Sequence, residues 1–234
     1  MKPEENISLE EIDKFNCLAS EWWDRSGKMK SLHDINPLRL AYIMRQTELE
    51  GKRVLDVGCG GGILTESIAR QGAVTFGIDA SEQMVRAANA HAGQSGLTIT
   101  YLTKKIEQLS AFFDTGFDVI LCMELLEHVP DYTSIIKACA EILNPGGIII
   151  FATINRNPVS FILAIVCAEY ILGLLPKGMH DYGALIKPDE LISSCAEQNL
   201  RLSEITGFSY NPFFKQYYFC KNTLVNYMAS FTPF

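Results

Sequence analysis

The sequence predicts an α/β fold built on a doubly wound, mainly parallel sheet. Three observations carry that reading. Apolar strand-like runs alternate with helical stretches from Val54 onward. The first run, Val54-Leu55-Asp56-Val57, passes into the glycine turn Gly58-Cys59-Gly60-Gly61-Gly62 and then a helical stretch from Ile63 to Ala69. The second run, from Val74, ends at Asp79, about twenty residues beyond the loop, where a ribose-binding acid is expected.

Taken in order, the chain starts with Ser8-x-x-Glu11, a capping box with Ile7 and Ile12 placed as a hydrophobic staple. The helix behind it puts Ile12, Phe15, Leu18, Ala19 and Trp22 on one face, and Trp22-Trp23-Asp24 ends it. Adjacent tryptophans cannot share one packing stripe. Either Trp23 covers a ligand or both pack the helix onto the domain, and packing is the better reading. Asn36 as N-cap and Pro37 at the first helical position predict a second helix. Arg39 then falls in the first turn, where a cation opposes the helix dipole, so an anionic partner is expected for it.

The glycine spacing narrows the ligand. A dinucleotide fingerprint starting at Gly58 needs glycine at position 63, which is Ile63. No P-loop lysine follows either, which disfavours an NAD oxidoreductase and a nucleotide hydrolase. Gly58 and Gly60 let the backbone pass close beneath a ligand where a Cβ would collide. Asp79 can accept hydrogen bonds from both ribose hydroxyls of an adenosine. The plainer role, capping the helix that starts near Ser81, is the weaker reading.

Further on, a helix is predicted from Ser81 to about Gly93, and strands over 99–102 and 117–122, with Glu107 near the adenine region of such folds. A helix over 135–143 is expected to stop at Asn144-Pro145-Gly146-Gly147, before a fifth strand over 148–152. Reactive groups belong at the carboxyl edge of the sheet. There stand Met123, Glu124, Glu127 and His128, spaced so that Glu124 can share a face with either of the last two. They could hold a divalent cation, or His128 could act as general base. The turn could equally be structural. Val159 to Leu175 is apolar but too short to span a bilayer comfortably, since about 20 residues are needed. It reads as a lid or core helix, with contact to a membrane surface as the alternative. A helix is expected through Cys195. The last strands are expected over 202–207 and 217–220, with a turn over 207–212.

Composition bounds the function. The 234 residues, 48% hydrophobic, suit one α/β domain with additions. The net charge of −7 and the absence of a basic run exclude nucleic acid as substrate. Seven scattered cysteines without a C-x-x-C pair suit the reduced cytoplasm, and no targeting signal opens the chain.

The D-x-G-x-G-x-G loop resembles motif I of the class I methyltransferases. Over 15–228 the chain is similar to the ubiquinone-biosynthesis O-methyltransferase family. The resemblance rests on Leu18-Ala19-x-x-Trp22-Trp23-Asp24, Asn36-Pro37-Leu38-Arg39, the glycine loop, Met123-Glu124-x-Leu126-Glu127-His128, Asn155-Arg156-Asn157, Pro176-Lys177-Gly178-x-His180-Asp181 and Val225-Asn226-Tyr227-Met228. It implies a seven-stranded, Rossmann-like sheet. The single domain, 1–234, then divides into a helical cap (1–50), a cofactor-binding core (51–157), a helical insertion or lid (158–200) and C-terminal strands (201–234). It implies S-adenosylmethionine as cofactor, contacted at Arg39, Gly58, Asp79 and Met123. It implies a divalent cation such as Mg2+ at Glu124, Glu127 and His128, and methyl transfer to a polyprenylated catechol or quinol, with Glu124 and His128 catalytic. Other ubiquinone-biosynthesis proteins are implied as partners, and the inner face of the cytoplasmic membrane as a docking place through 161–175. A scaffold that binds the cofactor without turnover, or action on another small phenol, is the competing reading. Lys221-Asn222-Thr223-Leu224 departs from the family where acidic residues are usual, which leaves the last strand's register open.

Overall fold

The computed structural model describes residues 6–113, 115–163, 178, 181–211 and 213–234. In chain order the elements are α1 (Leu9–Asn16), α2 (Lys30–Gln46), β1 (Arg53–Val57), α3 (Ile63–Ala69), β2 (Val74–Asp79), α4 (Glu82–Gln94), β3 (Thr100–Thr103), β4 (Phe117–Met123), α5 (Tyr132–Glu141), β5 (Leu143–Ile154), a single turn α6 (Pro158–Ser160), α7 (Pro188–Glu197), β6 (Leu200–Asn211), β7 (Gln216–Cys220) and β8 (Asn226–Pro233).

The strands form one sheet in the order β3-β2-β1-β4-β5-β8-β6-β7. The first five pair in parallel. β8, β6 and β7 join antiparallel. The sheet has eight strands where seven were expected. The addition is β8, which inserts between β5 and β6; β7, expected over 217–220, is a hairpin return of β6 that makes the outer edge.

The parallel strands read as unbroken apolar runs because both faces are covered. Val54, Val119 and Leu121 pack with Tyr42 and Ile43 of α2 and Ile68 of α3. Leu55, Ile120 and Cys122 face the other way, toward Ile136 and Cys139 of α5 and Leu191 of α7. Cys17, Cys59, Cys122, Cys139, Cys195 and Cys220 are free thiols.

Four local expectations are corrected. First, α2 starts at Lys30 and carries Pro37 in its interior. An interior proline costs about 3 kcal/mol or more. Burial of Ile35, Tyr42 and Ile43 on one stripe outweighs that, and Asn36 spends its amide on Ser67 Oγ at 2.7 Å rather than on a cap. Second, α1 stops at Asn16 and a 3₁₀ turn, Ala19–Glu21, carries the chain to the tryptophans. Third, β5 begins at Leu143, and Asn144–Gly147 form an irregularity inside it, where the register with β4 shifts. Fourth, β6 runs straight through the turn expected over 207–212. Gly207 permits this: a Cβ there would run into the backbone carbonyl of Asn222. The reversal comes later, where Asn211 Oδ1 accepts from the N–H groups of Phe213 and Phe214. The register of the last strand is settled by Phe151↔Ala229 on one side and Ile205↔Ala229 on the other.

Candidate active site

Strand order reverses between β1 and β4, and ligands of such sheets bind at the carboxyl ends of the strands on either side of that point. A cavity of about 480 Å³ opens there. Arg39, Gly58, Asp79, Met123, Glu124 and His128 all line it. Glu127 does not. It borders a smaller adjoining space of about 200 Å³, together with Glu11, His128 and Asp181.

Asp79 ends β2 and ties two loops together. Its Oδ2 accepts from Gly60 N–H at 2.9 Å and its Oδ1 from Ser81 N–H at 2.8 Å. The helix cap of α4 is Ser81, whose hydroxyl accepts from Met84 N–H, so Asp79 is not needed for that task. Burial pushes the Asp79 carboxyl up, and the two backbone donors pull it back. A carboxylate offers about four acceptor positions, so two remain for ribose hydroxyls.

The glycine loop is left-handed at Gly58, Gly60 and Gly62, with φ of 70°, 52° and 88°. Side-chain contacts add a second reason for glycine. A Cβ at Gly58 would stand 2.9 Å from Leu125, and one at Gly60 would stand 2.6 Å from the ring of Trp22. Trp22, not Trp23, therefore roofs the loop and lines the cavity. Trp23 donates its indole N–H to Gly61 O at 2.8 Å and stacks on His91.

Asp56, beneath the loop, is buried and accepts from Thr65 Oγ1 at 2.6 Å. Burial raises its carboxyl from 3.8 to about 6, against the pull of Thr65. A raised folded-state value means stability that is full below about pH 3.8 and is lost as pH rises through 6. Asp56→Asn is therefore expected to stabilise the unliganded protein at pH 8, with the gain fading toward pH 4. Urea midpoints across that range check it.

At the end of β4, Glu124 adopts a left-handed backbone, φ 55°, which costs a non-glycine residue roughly 1–3 kcal/mol. Its N–H donates to Ala152 O at 2.8 Å. Its Oε1 lies 2.6 Å from Arg39 Nη2, an ion pair off the line of a hydrogen bond. Arg39 thus has the anionic partner expected for it, but not for the reason expected. It stands deep inside α2, away from the first turn, and its side chain is buried.

His128 follows on the turn after β4. Its Nδ1 lies 2.7 Å from Glu11 Oε2, and Phe15 packs edge-on against its ring. Ser8 caps α1 as predicted, but Glu11 does not complete the capping box. Its carboxylate goes to His128 and Lys14 instead, and the His128 hydrogen bond is the main cause of its fall to about 2, opposed by burial. Glu11 is a site residue that sequence reading missed. It lies more than a hundred residues from His128, so no spacing signals it. Glu107 also lines the cavity and accepts from Asn6 and Ser134.

Glu124, Glu127 and His128 do not present one ligand set. Glu124 meets Arg39, Glu127 Oε2 accepts from Thr153 Oγ1 at 2.8 Å, and His128 turns to Glu11. Among the described residues no three His, Cys, Asp or Glu side chains are grouped to hold a metal ion. The described residues thus give the expected divalent cation no support.

Comparison with known proteins places this chain in a family. A model described as Methyltransferase domain matches residues 55–151. The ubiquinone biosynthesis O-methyltransferase of Nitrosospira multiformis is 50% identical over 226 residues, covering 97% of this chain and 95% of its own. The one from Hahella chejuensis is 49% identical over 228 residues, covering 97% and 96%. The chain belongs to the ubiquinone biosynthesis O-methyltransferase family. It is an enzyme of the class I, S-adenosylmethionine-dependent type. Among solved structures, the magnesium protoporphyrin IX methyltransferase of Synechocystis PCC 6803 with bound SAH superposes with a TM-score of 0.70 at 20% identity, over 95% of this chain and 97% of that one. The same protein with bound SAM gives 0.67 at 18% identity, over 98% and 100%. These likenesses show the fold.

Proposed function

We propose that this chain methylates a phenolic oxygen of a polyprenylated catechol or quinol on the way to ubiquinone, at one or both O-methylation steps. The observation that carries the reading is the meeting of two half-sites in one cavity. Asp79 and the glycine loop lie at the ends of β2 and β1, and Glu124 and His128 follow β4. The names of the relatives support the substrate class.

The residues fit S-adenosylmethionine. In this reading Asp79 holds the ribose, Gly58 and Gly60 pass beneath the methionine part, Met123 walls the site, and Arg39 meets the carboxylate. Arg39 Nε is buried and has no hydrogen-bond partner among the described residues. The cofactor, when bound, supplies a methyl on a sulfonium that needs no further activation.

The chain's own work is then the proton. A phenol with a pKa near 10 is mostly protonated at neutral pH. We assign its removal to His128. Glu11 accepts the Nδ1 proton, which leaves Nε2 as the basic nitrogen. Glu124 is the other proton acceptor at this edge, and it also balances Arg39. Holding both reactants in one cavity supplies alignment.

A lipid substrate also calls for access to a bilayer, and we assign that contact, at the inner face of the cytoplasmic membrane, to the stretch 161–175. Its described start, Phe161, Ile162 and Leu163, is exposed. Residues 164–177, and His180, lie outside the described residues. Among the described residues no helix is long and apolar enough to cross a membrane.

Incubation with methyl-labelled S-adenosylmethionine and a short-chain prenylated catechol tests the reading. Label is expected in the phenolic ether. A cofactor-binding scaffold would leave the catechol unlabelled, and so would an enzyme for an unrelated phenol. Restoration of ubiquinone in a strain lacking the O-methylation steps is the parallel check.

A further inference from the structure

Three buried donors of cavity-lining residues have no hydrogen-bond partner among the described residues: Trp22 Nε1, Ser31 Oγ and Arg39 Nε. Their residues are 6%, 7% and 6% exposed. A buried donor left unpaired is costly, and folded proteins hold few of them. Three around one cavity point to an acceptor that belongs there.

We propose that Ser31 Oγ and Trp22 Nε1 donate hydrogen bonds to the carboxylate at the amino-acid end of the bound cofactor, beside Arg39. The proposal rests on the S-adenosylmethionine reading and deepens it.

Position supports this. Ser31, Ile35 and Arg39 recur every fourth residue, on one stripe of α2, and all three line the cavity. Ser31 stands in the first turn of this 17-residue helix, where N–H groups and the helix dipole favour an anion. The Trp22 ring lies over Gly60 and Gly61, so its indole N–H is delivered to the loop beneath the methionine part.

The two adjacent tryptophans differ in a telling way. Trp23 Nε1 is satisfied by Gly61 O, while Trp22 Nε1 has no partner among the described residues. Nearby acids are already engaged: Asp56 by Thr65, Asp79 by Gly60 and Ser81. Glu124 draws on the charge of Arg39. With that charge shared, neutral donors must carry part of carboxylate recognition.

The test compares two ligands by titration calorimetry. S-adenosylhomocysteine carries the amino-acid end, and 5′-methylthioadenosine has the same nucleoside without it. Ser31→Ala removes only a hydroxyl, and Trp22→Phe keeps an aromatic ring while removing the N–H. Each is expected to weaken S-adenosylhomocysteine about 10-fold or more, the range for a hydrogen bond to a charged group. 5′-Methylthioadenosine affinity is expected to stay within about 2-fold, and Ser31→Thr to restore S-adenosylhomocysteine binding.

Equal losses for both ligands would show that these residues only hold the cap in place, and would overturn the proposal. So would unchanged affinity for both in folded Ser31→Ala protein. If the unaltered protein bound neither ligand, the cofactor reading itself would fall. That outcome is distinct from a failure of these two donors alone.

Discussion

Replacing His128 by alanine is expected to lower kcat by about 10²–10⁴-fold, the usual worth of a positioned general base. The ring stands on the turn after β4, faces the cavity and is held by Glu11 at 2.7 Å. S-adenosylhomocysteine affinity should be nearly kept, because Asp79, the glycine loop and Arg39 lie elsewhere on the cavity wall. Steady-state kinetics with a prenylated catechol, paired with calorimetry, separates the two quantities. Turnover that survives in the folded variant would pass the proton to Glu124. Loss of cofactor affinity alone would make His128 a structural residue of the turn.

The second large effect is expected from Asp79→Ala. A charge-assisted hydrogen bond to ribose is worth about 1.5–3 kcal/mol, so cofactor affinity should fall roughly 10- to 150-fold. The fold should persist, because Ser81 rather than Asp79 caps α4. Part of the loss will come through the loop, since Gly60 N–H loses its acceptor. Asp79→Asn separates the two contributions. It keeps an oxygen for Gly60 but drops the charge, and should fall between the parent and the alanine variant. Unchanged affinity in a folded Asp79→Ala protein would remove Asp79 from the cofactor site.

Much of this was legible because it is local. The strand, glycine turn and helix at 54–69 appear with nearly the expected bounds, since apolar runs and glycine punctuation act within a few residues. Asp79 could be placed at the end of β2 for the same reason. The α2 boundary failed because Asn36-Pro37 is a valid local start signal that packing overrules. The strand β6 failed likewise. Gly207 reads as a turn residue, but it serves a close approach of Asn222 that only the hairpin creates.

Sequence alone determined the fold class, the glycine loop and the place of the acid that follows it, because each is a short pattern that depends on neighbours in the chain. Tertiary structure decided the partners. It set Glu11 on His128, Arg39 on Glu124 and Trp22 over Gly60, pairings between segments far apart in the chain. It also separated Glu124, Glu127 and His128, which share a spacing but point to different neighbours. The reason is physical. A side chain near a buried edge takes the strongest acceptor or donor within reach, and which groups are in reach is fixed by the sheet order rather than by distance along the chain.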